Sequence, residues 1–185
     1  MSDSAENLAP SKGFAPVART DARVLILGSL PGERSLEAGE YYAHPRNAFW
    51  PIMRELIGAA GSYRQRCTAL TEHRLAMWDV LGSSIRPGSM DADIRMEDSR
   101  VNDFRVFFRA YPGIELICFN GLTAAVLFRK FVAVQAPQAR LRQESLPSTS
   151  PAYASMRFSE KLDRWRVVMQ YVGAKPTWIR EVSTP

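Results

Sequence analysis

Two apolar runs constrain this chain more than any other feature: "VLILG" at 24–28 and "IELICFNG" at 114–121. Apart from Glu115, neither alternates apolar with polar residues. Unbroken aliphatic and β-branched stretches of this length suit strands covered on both faces, as in a parallel sheet between layers of helices. Between and after them lie segments with helical spacing. Ala48–Ile57 places Phe49, Met53, Leu56 and Ile57 on one face, and Gly58 stops it. Thr71–Leu81 reads as a short helix running into a strand-like "MWDVL", Val101–Tyr111 as an amphipathic helix, and Leu122–Phe131 as another. Arg140–Leu146 reads as a strand and Ser159–Trp165 as a helix, with "WRVVMQYVG" a final strand or a continuation of that helix. Strands alternating with helices predict an α/β fold, a three-layer α/β/α sandwich whose mainly parallel central sheet has about four strands.

A chain of 185 residues can bury one sizeable core. Residues 1–15 are small and polar and are expected to be a loose tail, leaving 16–185 as a single domain. "GSSIRPGSMDADIRMED" is expected to be a polar loop of about 17 residues, long enough to suspect function. Its Asp91 and Asp93 lack further ligands at calcium-loop spacing, and two histidines and two cysteines are too few for most metal cages. No metal and no cofactor are therefore expected. No apolar run reaches the roughly 20 residues of a membrane span, so the chain is expected in the cytoplasm, associated with the nucleoid. It is also expected to be a monomer. Twenty-four Lys and Arg against 19 Asp and Glu leave a net charge of +5, compatible with a polyanionic partner.

In open α/β sheets the ligand crevice lies beyond the carboxyl ends of the strands. Three unusual stretches fall there: "GSLPG" with the aromatic "YYAHPRNAFW" that follows, "FNG", and "LPSTSP". Gly, Pro, Ser and Asn dominate ordinary turns too, so each stretch alone is consistent with a turn. An aromatic insert this dense is not what a glycine-rich phosphate loop carries.

Together these stretches resemble the uracil-DNA glycosylase superfamily, and within it the hypoxanthine (deoxyinosine) branch. The resemblance runs from about residue 23 to about 165 and rests most on "HPRNAFW" and "LPSTSP". It implies a monofunctional hydrolase that cuts the N-glycosidic bond of a deaminated base, hypoxanthine or uracil, flipped out of DNA, leaving an abasic site in base excision repair. Tyr42 then falls where the superfamily stacks the base, and Asn120 where an amide reads it. Gly28, Ser29 and Leu30 border the base. Leu30 stands where many relatives keep Asp or Asn, so the water-orienting role falls to Asn47; Asn47 is equally a good cap for the helix near Phe49. His44 is open between general acid, base contact and structural hydrogen bonding. Ser148, Thr149 and Ser150 would offer hydroxyls and amides to phosphates, and Pro147 would stiffen that loop. Tyr153 is either an intercalating wedge or ordinary surface packing. Phe49 and Trp50 are expected in the core. A DNA-binding member without activity, or a hydrolase of free nucleosides, would share much of this pattern.

Overall fold

A computed structural model describes residues 10–85, 95–133 and 141–171. Four strands, β2 (Val24–Gly28), β3 (Leu75–Asp79), β6 (Leu116–Asn120) and β7 (Arg142–Leu146), form an all-parallel sheet in the order β3-β2-β6-β7. Within it, Gly28 is level with Asp79 and Asn120 with Leu146. The apolar run of β2 is fully buried, as its composition requires.

Successive strand residues serve opposite faces, the pleat's period of two. Val24, Ile26, Leu75, Met77, Leu116 and Cys118 pack with α2 (Phe49–Ile57), α3 (Tyr63–Glu72) and α6 (Phe158–Trp165) through Ile52, Met53, Leu56, Leu70 and Trp165. Leu25, Leu27, Ala76, Trp78, Ile117 and Phe119 pack with α4 (Phe104–Ala110) and α5 (Leu122–Phe131) through Phe104, Phe107, Phe108, Ala125 and Phe128. This is the expected α/β/α sandwich.

The helix ends follow local chemistry. Gly58 closes α2 in the left-handed region, φ +69°, and donates to the Arg54 carbonyl. The Asp103 carboxylate starts α4 by accepting from the amides of Arg105 and Val106, both at 3.0 Å. After α6 the chain tightens into a 3-10 helix at Arg166–Tyr171, so "WRVVMQY" continues the helix and is not a strand.

Other expectations need correcting. The predicted 82–98 loop contains part of β4 (Leu81–Ile85) and of β5 (Arg95–Val101), which pair antiparallel. Their polar residues read as loop because only two of the five β4 residues, Leu81 and Ser84, are buried. Residues 86–94, including Asp91 and Asp93, lie outside the described residues. Ser11–Lys12, read as part of a loose tail, form β1 and pair with Ser84 and Ser83, since backbone pairing needs no apolar side chain. Val101 ends β5 and does not open a helix. Two helices were not foreseen: α1 (Glu33–Ala38) and most of α3.

Candidate active site

All four parallel strands end at one cavity of about 270 Å³. Gly28 and Ser29 come from β2, Asp79 from β3, Asn120 from β6, and Ser148–Ala152 from the loop after β7. The first loop adds Leu30–Ser35, Tyr41, Tyr42, His44 and Asn47. The chain leaves β2 for β3 on one side and returns to β6 on the other, so the cavity sits at the topological switch point.

Hydrogen bonds join these loops. Val80 and Leu81 donate to the carbonyls of Gly28 and Ser29 at 2.9 and 3.0 Å. Ala48 of the aromatic insert donates to the Thr149 carbonyl at 2.9 Å. Asn120 and Thr149 are doubly bonded: the Thr149 amide donates to Oδ1 (2.9 Å), and Nδ2 donates to Oγ1 (2.8 Å). This pair fixes which way the Asn120 amide faces and leaves it one N–H. Thr149 is only 1% exposed, so its hydroxyl is not offered to phosphates as the sequence suggested; it holds Asn120.

Tyr42 lies with its ring stacked on Phe49, centroids 3.9 Å apart and planes 24° apart. Phe49 covers one face, so a base can use only the other. Tyr42 has φ +57°, a conformation costing a non-glycine residue about 1 kcal/mol. Bonds on both flanks hold it: Trp50 Nε1 donates to the Tyr41 carbonyl at 2.8 Å, and the Ala43 amide to Ser35 Oγ at 3.2 Å. Phe49 and Trp50 are buried, as expected.

Asn47 lines the cavity and also holds the start of α2, from one residue before the N-cap Ala48. Its Oδ1 accepts from the Phe49 amide at 2.9 Å, while Nδ2 has no hydrogen-bond partner among the described residues. His44 Nδ1 accepts from the Arg46 amide at 3.1 Å, so the neutral imidazole carries its proton on Nε2. That bond gives His44 a structural role in the turn while it borders the cavity. Leu30 and Leu146 are buried in opposite cores, which accounts for apolar side chains at these two strand-end positions. Pro147 borders the neighbouring groove, its carbonyl accepting from Trp165 Nε1 at 3.0 Å. Tyr153 also lies in that groove and not in the cavity.

Sequence reasoning missed Asp79. The residue is 3% exposed and lines the cavity, and its carboxylate lies over Gly28, where any Cβ would collide with Oδ1. Burial first, and this carboxylate second, push the Tyr41 hydroxyl far above the ordinary phenol range, so it stays protonated. The available signal was its place at the end of the apolar "LAMW", the same position in its strand as Gly28 and Asn120 in theirs. Among the described residues, no three His, Cys, Asp or Glu side chains gather to hold a metal ion, and no lysine lines the cavity.

The sequence pattern of the uracil DNA glycosylase superfamily matches residues 15–171. The chain belongs to that superfamily. A hypoxanthine DNA glycosylase of Methanosarcina acetivorans is 32% identical over 164 residues, 86% of this chain and 98% of the relative. One of Methanosarcina barkeri is 36% identical over 113 residues, 60% of this chain and 70% of the relative. The solution NMR structure of a candidate uracil DNA glycosylase from M. acetivorans superposes with a TM-score of 0.70 at 31% identity, covering 86% of this chain and 99% of that one. Superfamily membership agrees with the parallel sheet and with a cavity at its strand ends. No helix among the described residues is long and apolar enough to cross a membrane.

Proposed function

We propose that this glycosylase hydrolyses the N-glycosidic bond of hypoxanthine flipped out of DNA, releasing the base and leaving an abasic site without a covalent intermediate. Two relatives named hypoxanthine DNA glycosylases support the reading. The observation that carries it is a buried carboxylate, Asp79, in the same small cavity as the oriented amide of Asn120. At about 270 Å³ the cavity lies just below the roughly 300 Å³ at which small-molecule sites usually begin, room enough for a single purine base.

Deamination of adenine turns the acceptor N1 into an N–H donor and the 6-amino group into a carbonyl. In its ionised form a carboxylate only accepts, and Asp79 in that form takes the new N–H and repels the lone pair of adenine N1. The remaining N–H of Asn120 suits the new carbonyl. Tyr42, backed by Phe49, stacks on the ring. The polar capacity left on Asn47, two N–H groups and one lone pair, orients a water toward the sugar carbon. That water forms its bond to C1′ as the bond to the base breaks. The electron pair leaves with the base, and the proton released by the water balances it. Negative charge on Asp79 opposes charge building on the departing base, so Asp79 serves choice of base more than rate.

The test incubates the protein with oligonucleotides bearing hypoxanthine, uracil or xanthine and reveals abasic sites with alkali. Strand breaks at hypoxanthine are expected; breaks at none of the three bases would overturn the reading. The same assay run in EDTA is expected to give an unchanged rate, because no metal-ligating cluster borders the cavity among the described residues. Loss in EDTA with recovery on adding a divalent ion would show otherwise. Tyr42→Ala should lose about 5- to 150-fold in base capture, the worth of roughly 1–3 kcal/mol of stacking. A folded Tyr42→Ala with wild-type excision would return Tyr42 to a packing role.

A further inference from the structure

A second concavity, a groove of about 740 Å³, continues from the mouth of the base cavity and shares Ser148, Ser150 and Ala152 with it. We propose that this groove seats duplex DNA beside the flipped nucleotide and that Leu122 enters the base stack there, alongside Tyr153. This rests on the glycosylase reading above and adds a second strand-probing side chain to it.

Leu122 is 71% exposed, the highest among the described large apolar side chains, and Tyr153 is 38% exposed; both line the groove. Single exposed hydrophobes are common and need no explanation. Position and rigidity set this one apart. Leu122 is the first residue of α5, directly after Gly121, and an apolar side chain at that site caps nothing. Gly121 has φ +97°, donates to the Leu146 carbonyl at 3.0 Å, and packs so closely that a Cβ would stand 3.0 Å from Ser148 Cβ. Leu122 therefore projects from a corner welded to the loop that lines the base cavity. Tyr153 is held as firmly: Lys161 Nζ donates to its carbonyl at 2.7 Å and lies 5.0 Å over its ring.

A strand that delivers a base into the cavity must cross its mouth, and the shared loop residues lead it into this groove. The groove's polar lining suits a phosphate backbone: hydroxyls of Thr123, Ser145, Ser148 and Ser150, and the Arg164 guanidinium. Its one carboxylate, Glu144, is bridged by Arg142 at 3.1 Å. Rigid apolar side chains beside a backbone track are how proteins part base steps.

Two readouts test this on wild type and Leu122→Ala: single-turnover excision of hypoxanthine from duplex and from single-stranded oligonucleotides of one sequence, and fluorescence of 2-aminopurine placed next to the lesion in bound duplex. Leu122→Ala should slow duplex excision about tenfold, leave single-strand excision within about twofold, and lose the brightening that wild type produces, because only a duplex must be unstacked. Leu122→Met should retain the duplex rate. Equal rates for Leu122→Ala and wild type on both substrates, or equal losses on both, would overturn the proposal. If wild type released no base at all, the glycosylase reading would fall, yet the fluorescence would still decide this one: brightening that persists in Leu122→Ala, or is absent from wild type, overturns it.

Discussion

Single-turnover excision of hypoxanthine by Asn47→Ala is expected to fall by about 10²-fold or more, the scale on which preorganised polar groups act. Binding to lesion DNA should stay within about twofold of wild type, because phosphate contacts supply much of the affinity. The same substitution removes the acceptor for the Phe49 amide, so stability should drop by about 1 kcal/mol. In a domain of this size that lowers the melting temperature by about 2–4 °C. A capping role and a catalytic role thus predict different variants to recover. Asn47→Ser keeps a short acceptor for the Phe49 amide and should recover the melting temperature but not excision. Asn47→Asp keeps the acceptor and a group able to orient water, so it should recover both in large part. Wild-type excision by Asn47→Ala, with melting lowered, would make Asn47 a cap alone. Asn120 would not then inherit the role, because Thr149 already engages its oxygen and one of its N–H groups. Asp79 would be the group to examine.

The parts of this fold that could be read from sequence are those whose burial is written in composition. Val24–Leu27 and Leu116–Phe119 have helices on both sides, and nothing polar interrupts them. Helix α2 buries a wide apolar stripe and so shows its period. Helix α3 buries only Leu70, leaving no stripe to find; its mark was the capping box of Ser62 and Gln65. Helix α1 buries only Ser35. Strands β4 and β5 pair through their backbones with mostly polar side chains, a pattern that composition alone assigns to a loop.

The site divides along a similar line. Tyr42, Asn47, Asn120 and the 148–150 loop were legible as strand-end residues and do border one cavity. What each holds was not. Thr149 reads as a surface hydroxyl until Asn120, 29 residues upstream, is brought against it. Tyr153 and Pro147 belong to the adjoining groove, a distinction that depends on how the loop turns over α6. Asp79 went unseen because one acid after an apolar run is the ordinary chemistry of a turn, and only register with Gly28 places it over the cavity floor.

Asp79→Asn should therefore change which base is taken more than how fast it leaves. The substitution is nearly isosteric, and the hydrogen bond from Asn102 Nδ2 goes to the Asp79 backbone carbonyl at 2.9 Å, so the strand end is kept. An amide can turn its oxygen to the N1–H of hypoxanthine or its NH₂ to the N1 lone pair of adenine, whereas the carboxylate accepts only. Hydrogen bonds to charged groups are worth about 1.5–3 kcal/mol, so the preference for hypoxanthine over adenine should fall by about 10- to 150-fold. Most of the change should appear in capture of the base. The rate of the bound complex should hold or rise slightly, since a negative charge facing the departing base is gone. Asp79→Ala should lose hypoxanthine capture without gaining adenine, because it neither accepts nor donates. Competition between hypoxanthine and adenine oligonucleotides, read as the ratio of kcat/KM, measures this directly. An unchanged ratio in a folded Asp79→Asn would remove Asp79 from base selection. A fall in kcat at unchanged preference would instead make it part of the water-activating machinery that is assigned here to Asn47.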